Sequence, residues 1–244
     1  MAAMDWARAI ARTEELSARA PELLAFTRAV LRFQQDIYRR ASTAARKDPQ
    51  RLDTLLLASF VPDFLELVEK HGPRELALQA QRMHDRQDWE AVLRSCWQQA
   101  SDRHDLLARL ILQPHVQFLS ERWRVEVGLF EDGGPSCPFC ARGPLLSVDR
   151  GRRLLHCSLC SNEWAFPEKK CPGCASEKLR TRRLRAMPHV HVEACEACGH
   201  YLKTVDVKRE PAAVPLVDEI AAAELDQAAH EEGWTKFEPN LAGM

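Results

Sequence analysis

The sequence predicts an α+β chain: an N-terminal all-α helical bundle, then two small β units, then a C-terminal helix. Three observations predict it. Apolar residues recur at helical spacing through the first half, eight of the nine cysteines lie between Cys137 and Cys198 in repeated pairs, and a further amphipathic stretch follows Pro211.

Residues 3 to about 128 read as helices. After Pro21, Phe26, Val30, Phe33 and Ile37 recur at spacings of four, three and four, which puts them on one face and leaves Arg28, Arg32, Gln35 and Arg39 on the other. That face needs partners. Leu52, Leu55, Leu56 and Phe60 supply one, Val92, Leu93, Cys96 and Trp97 a second, and Leu106, Leu107, Leu110 and Ile111 a third, so five or six helices are the simplest account. Pro62 and Pro114 fall inside apolar runs, where a missing backbone donor bends or ends a helix. His71-Gly72-Pro73 and Asp85 to Asp88 read as connections. Cys96 stands alone on an apolar stripe and reads as a buried structural thiol.

The other cysteines form four Cys-x-x-Cys pairs: Cys137/Cys140, Cys157/Cys160, Cys171/Cys174 and Cys195/Cys198. One such turn lets two thiolates converge on a cation at about 2.3 Å, and two turns complete a tetrahedron suited to zinc or to iron on four thiolates. The spacing implies two metal ions per chain. Leu145 to Val148, a turn at Asp149-Arg-Gly151 and Arg153 to Leu155 read as a hairpin between the first two pairs. Lys178 to Leu184, a break at Met187-Pro188 and Val190 to Val192 repeat the pattern, and the two units start 34 residues apart. Sequential pairing, within 137–160 and within 171–198, is therefore expected, with a cross-braced arrangement as the open alternative. Each unit spans under 30 residues between its outer cysteines, a size that needs a metal to fold. Four thiolates saturate the ion, which argues against a metal hydrolase and makes a purely structural role the plain alternative. His156 and His200 flank ligand positions and read as hydrogen-bonding neighbours, and Trp164 as a lid over the first site.

With 45% hydrophobic and 28% charged residues the composition is that of an ordinary soluble globular protein, and 34 Lys+Arg against 35 Asp+Glu gives no bias toward nucleic acid or anionic lipid. Asp5, Arg8, Arg12, Glu14, Glu15 and Arg19 break up any signal-peptide core, and no run of about 18 apolar residues follows, so a cytoplasmic location is expected. Reduced, metal-bound thiols suit that compartment. The polar stretch Glu131 to Ser136 marks a boundary and divides the chain into 1–131, 132–210 and 211–244. In the last part Leu216, Val217, Ile220, Ala221, Leu225 and Ala228 form an amphipathic helix ending by Gly233, and Trp234, Phe237 and Leu241 suggest a tail that packs back on the body. From Cys137 to Pro211 there are 14 Lys+Arg and 8 Asp+Glu. Two four-thiolate sites with divalent ions remove four of that surplus, and no aromatic residues interleave with the basic run Lys178 to Arg185, which argues against nucleic-acid binding.

These residues resemble a known family. Leu155-His-Cys-Ser-Leu-Cys160 followed by Glu163-Trp164, Cys137-Pro-Phe-Cys140, Cys171-Pro-Gly-Cys174, Cys195-Glu-Ala-Cys198-Gly-His-Tyr-Leu-Lys203 and the tail with Asn240-Leu241 are similar, in that order, to the formate dehydrogenase accessory protein FdhE family. Gln113-Pro114 adds a weaker likeness in the helical half, while Ala141 and Ala175 depart from the glycine often found after such knuckles. The resemblance implies rubredoxin-like units holding iron in preference to zinc on the eight cysteines. It also implies a cytoplasmic, non-enzymatic assembly factor that binds the catalytic subunit of a formate dehydrogenase and is needed for its maturation. A rubredoxin-like electron carrier and a nucleic-acid-binding zinc-ribbon protein are the alternatives, and a homodimer is left open.

Overall fold

The computed structural model describes residues 4–44, 52–98, 106–127 and 134–244. Seven helices precede the sheet among these residues: α1 (Trp6–Glu15), α2 (Pro21–Ala44), α3 (Thr54–Ala58), α4 (Val61–His71), α5 (Arg74–Met83), α6 (Trp89–Trp97) and α7 (Leu106–Val127). Their starts follow local chemistry. Asp5 caps α1 and Asp53 caps α3, each side chain accepting from an amide three residues on, and Pro62 sits in the first turn of α4, where its missing N–H costs nothing. Pro114, expected to bend or end its helix, does not end it; α7 runs through it for 22 residues. Val30, Leu31, Ile37, Phe64, Leu107 and Ile111 form the fully buried centre of the bundle. Leu55 corrects the expected stripe: it is 68% exposed, and its neighbour Leu57 is buried instead.

Six strands follow: β1 (Pro144–Asp149), β2 (Arg153–Cys157), β3 (Glu163–Ala165), β4 (Leu179–Leu184), β5 (Met187–Cys195) and β6 (His200–Asp206). The two β units are not separate. They share one sheet in the order β3-β2-β1-β6-β5-β4, because β1 lies parallel to β6 with Ser147 opposite Thr204 and Val148 opposite Val205. All other neighbours along this path are antiparallel, as hairpins require. Arg153 on β2 also reaches Glu193 on β5 at 2.7 Å, a buried ion pair between the units.

The expected C-terminal helix is broken at Ala222 into α8 (Pro215–Ala221) and α9 (Ala223–Glu231), and the short β7 (Thr235–Lys236) then runs parallel to β6. The short α8 packs against α1 and α2 on one side and β1 and β6 on the other. Every residue from Leu216 to Ala221 is buried, including two carboxylates. Asp218 accepts from Arg12 on α1 at 2.7 and 3.0 Å and lies 2.8 Å from His189 on β5. Glu219 pairs with Lys203 on β6 at 2.9 Å and with Lys236 on β7. A buried charge is tolerable only when paired and hydrogen-bonded, so these contacts fix the register of bundle, sheet and tail together. The tail packs back as expected: Leu241 is buried and Asn240 donates to Glu219 at 2.9 Å. One connected apolar cluster runs from Trp6 to Ala242, while Glu131 to Gly133 of the expected boundary lie outside the described residues.

Candidate metal centres

Each hairpin ends in the knuckles that carry the cysteines. In the first, Cys137 N–H donates to Arg142 O, Ala141 N–H to Cys137 O, and Cys157 N–H to Asn162 O. In the second unit, Cys171 N–H donates to Ser176 O, and Ala175 and Gly199 N–H donate back to Cys171 and Cys195 O. Closing such a loop requires positive φ just after the second cysteine. Ala141, Ser161, Ala175 and Gly199 take that position with φ of 56°, 55°, 58° and 74°. Three of the four are L residues held in a region that favours glycine, so the departure of Ala141 and Ala175 from the usual pattern leaves the knuckle shape intact at a conformational cost. Amides turn toward sulfur as well: Leu159 and Cys160 N–H lie 3.3 and 3.4 Å from Cys157 Sγ, and Gly173 N–H lies 3.3 Å from Cys171 Sγ.

The eight sulfurs fall into two groups, Cys137, Cys140, Cys157 and Cys160, and Cys171, Cys174, Cys195 and Cys198, each with its atoms within 4.8 Å of one another. This is sequential grouping, and it removes the cross-braced alternative. The shorter sulfur–sulfur edges measure 3.4 to 3.7 Å in the first group and 3.6 Å in the second. A tetrahedron with arms of about 2.3 Å has edges of about 3.8 Å, so both groups fit one ion on four thiolates. Burial raises Cys157 and Cys160 well above the ordinary thiol range and Cys171 to about 12, whereas hydrogen bonds with Cys140, Cys157 and Cys160 lower Cys137. Burial also raises Cys195, but the amides of Cys198 and Ala197 and the neighbouring thiols bring it down to about 7. A metal must therefore displace protons on binding.

The two surroundings differ. Around the first group all four cysteines are buried. Arg142 donates to Cys96 O on α6, Phe139 packs against Trp97 and Trp123 with ring centres 6.3 and 5.1 Å away, and Gln113 on α7 reaches Ser158 O at 3.5 Å. Trp164 is 1% exposed and donates to Gly134 O at 2.8 Å, tying down the chain that enters the first knuckle. In the second group Cys174 is exposed and Cys198 half-buried. Its cover is the tail: Phe237 stacks 5.1 Å from His200 and sits so close to Gly173 that a Cβ there would meet its ring at 2.9 Å. His200 Nδ1–H donates to Cys198 O at 3.0 Å, the neighbour role the sequence suggested. His156 instead lies 3.5 Å from Glu163, whose carboxyl burial would raise but His156 and Arg150 hold at about 2.

Sequence reasoning missed Lys203, which is 0% exposed and donates to Glu219 O and Asp226. Strand alternation was the available signal, since Tyr201, Lys203 and Val205 share one face of β6.

With this geometry in place, the chain can be compared with known proteins. The family model described as "FdhE, C-terminal domain" matches residues 169–242, the second unit and the tail. Over that segment the chain is similar to the FdhE family. The Protein FdhE homolog of Aquifex aeolicus is 28% identical over 207 residues, 77% of this chain and 70% of that protein. Protein FdhE of Escherichia coli O1:K1 / APEC is 33% identical over 111 residues, 43% of this chain and 36% of that protein. The FdhE homolog of Glaesserella parasuis is 28% identical, with 58% of its length matched, so the chain spans only part of several relatives. The crystal structure of the FdhE protein from Pseudomonas aeruginosa superposes with a TM-score of 0.68 at 21% identity, covering 97% of this chain and 95% of that one, which establishes a shared fold. No helix among the described residues is long and apolar enough to cross a membrane.

Proposed function

We propose that this chain is a non-enzymatic, cytoplasmic accessory factor that binds the catalytic subunit of a formate dehydrogenase and is needed for its maturation. The observation that carries the metal half of this reading is the pair of four-sulfur groups, each of a size for one tetrahedral ion. Cys137, Cys140, Cys157 and Cys160 hold one ion and Cys171, Cys174, Cys195 and Cys198 the other, with iron preferred to zinc. Four thiolates leave no coordination position for a substrate water, which supports a role in holding shape or electrons rather than hydrolysis. The segments 1–131, 132–210 and 211–244 act as a helical domain, a metal-binding sheet and a clamp between them. The client surface spans bundle and sheet, because one apolar core and the buried carboxylates of α8 join them.

Nucleic acid is not the partner. Two arginines of the basic strand β4 are already ion-paired, Arg180 with Glu196 and Arg182 with Glu232. A second reading, a rubredoxin-like electron carrier, draws support from the exposure of Cys174, which would bring an iron centre near the surface. Formate-dependent dye reduction in cells lacking the protein separates the two. Complementation by the whole chain and by neither half supports the accessory factor; full rescue by residues 132–244 alone favours the carrier, and normal formate oxidation without the protein removes the client assignment.

A further inference from the structure

The sheet ends at β3 on one side and at β4 on the other. β3 has three residues with Trp164 buried at its centre, whereas β4 has six, and the four from Arg180 to Arg183 are exposed. The register of β4 on β5 determines which of its backbone groups are free. Glu196 N–H donates to Lys178 O at 3.0 Å, and the pairing continues from there with Arg180 opposite Ala194 and Arg182 opposite Val192. Bonded pairs recur at every second residue of an antiparallel ladder, so Thr181 and Arg183 turn their N–H and C=O groups outward, away from β5. These four groups have no hydrogen-bond partner among the described residues. Leu179 drops out of the outward row, because its amide closes onto Glu177 O at 2.9 Å.

A second, independent feature is the charge along this edge. Lys178 to Arg185 holds five Lys or Arg residues and no Asp or Glu. Two acids reach it, Glu196 at Arg180 over 3.4 Å and Glu232 at Arg182, in pairs whose side chains are all at least 40% exposed. Such exposed pairs are weak and exchange partners readily, and two acids against five cations leave the edge positive. Arginines on an open strand guard it against a second copy of itself, since like charges would then lie side by side. The same arginines admit a strand of opposite charge.

We propose that β4 takes up an extended acidic segment of a partner polypeptide as an additional strand of the sheet. Main-chain hydrogen bonds to Thr181 and Arg183 hold the segment, and its carboxylates meet Arg180 and Arg182 on one face and Arg183 on the other, as strand alternation requires. A polypeptide fits where a nucleic acid does not, because phosphates only accept hydrogen bonds and the outward carbonyls of Thr181 and Arg183 need donors. The segment spans about six residues, ~20 Å of extended chain. This docking chemistry stands independently of the formate dehydrogenase assignment.

The test titrates the full-length, metal-loaded protein with acetyl-Thr-Glu-Val-Glu-Thr-Glu-amide and with its counterparts carrying Gln or Lys in place of Glu, by calorimetry. Saturable binding of the acidic peptide is expected, at least tenfold tighter than the Gln peptide, weakened by salt, and absent for the Lys peptide. Amide hydrogen exchange followed by NMR then locates the contact. The Thr181 and Arg183 amides should exchange at least tenfold more slowly in the complex, while those of Arg180 and Arg182, already paired to β5, stay unchanged. Thr181→Pro removes one outward N–H without touching the ladder to β5, a substitution that edge strands accept, and should lose at least tenfold in affinity. The double variant Arg182→Gln, Arg183→Gln should lose as much, and both variants should keep their circular dichroism and metal content. No saturation of the acidic peptide by about 10 mM, equal binding of the Gln peptide, or saturation that leaves Thr181 and Arg183 unprotected would overturn the proposal. So would a concentration-dependent dimer in analytical ultracentrifugation that Thr181→Pro abolishes, since a second copy would then occupy the edge. The exchange measurement needs no variant and decides the placement by itself.

Discussion

The two four-cysteine groups have nearly the same sulfur geometry and opposite surroundings. The first is wrapped by the bundle: Phe139 lies among aromatic rings, Arg142 reaches α6, and all four of its cysteines are buried. The second sits at the outer end of the sheet, with Cys174 exposed and one tail residue, Phe237, beside it. The support beneath them differs as well. The first unit rests on apolar contacts of Leu146, Leu155 and Leu159, while β6 in the second rests on Lys203, whose ammonium meets Glu219 and Asp226 out of reach of water. A duplicated motif has thus been fitted to two tasks, one site as core and one as periphery.

The largest expected effect tests that assignment directly. Cys157→Ser removes a fully buried sulfur at the junction of sheet and bundle, and should lower the melting temperature by more than about 10 °C or prevent soluble expression. Cys174→Ser should leave the fold in place, with a loss below about 5 °C and a fall from two bound ions to one by native mass spectrometry. Equal damage from both would mean that the exposed site is as structural as the buried one.

Next in size is Lys203→Met. Removing one partner of a buried charge network strands the other, at roughly 3 to 5 kcal/mol. Lys236 still faces Glu219 and Asp226 in the variant, so the chain should fold but melt early, as chemical denaturation would report. A loss under about 1 kcal/mol would show that Lys236 alone neutralises the pair.

These comparisons also mark what could be seen from residues alone. The metal groups were legible because Cys-x-x-Cys spacing is a local constraint, and sequential grouping followed from a hairpin between each two pairs. The α+β order was legible for the same local reasons. The single sheet was not, because it depends on β1 meeting β6, and nothing local encodes a parallel pairing of Ser147 with Thr204. Leu55 was placed inward because a run of three leucines in a five-residue helix does not fix which one faces the core. The burial of Lys203 was not legible, since its partners lie 16 and 23 residues away.

A smaller effect concerns metal exchange. A chelator must approach a sulfur to take the ion, and Cys174 is exposed while all four cysteines of the first group are buried. Release to a chromogenic chelator should therefore be biphasic, with one equivalent leaving at least tenfold faster and that fast phase absent from Cys174→Ser. A single phase of two equivalents would break the distinction between core and periphery.

The smallest effect asks whether the knuckles themselves are equivalent, as their shared backbone implies. Ala141 and Ala175 hold φ of 56° and 58°, where an L residue costs roughly 1 to 2 kcal/mol relative to glycine. Both side chains are exposed, so replacing them removes no packing. Glycine returns part of the gain through the greater freedom of the unfolded chain, about 0.5 to 1 kcal/mol, which leaves a net stabilisation of roughly 0.5 to 1 kcal/mol for Ala141→Gly and for Ala175→Gly. Gly199→Ala, at φ of 74°, should cost a similar amount in the opposite sense. Because the strain is local to each turn, the gains from the two alanine sites should add in the double variant, within a few tenths of a kcal/mol. Stabilisation at Ala175 but not at Ala141 would mean that the bundle, by gripping Arg142, selects the positive φ beside the buried site whatever residue stands there. The difference between the two centres would then extend from their surroundings into the knuckle backbone.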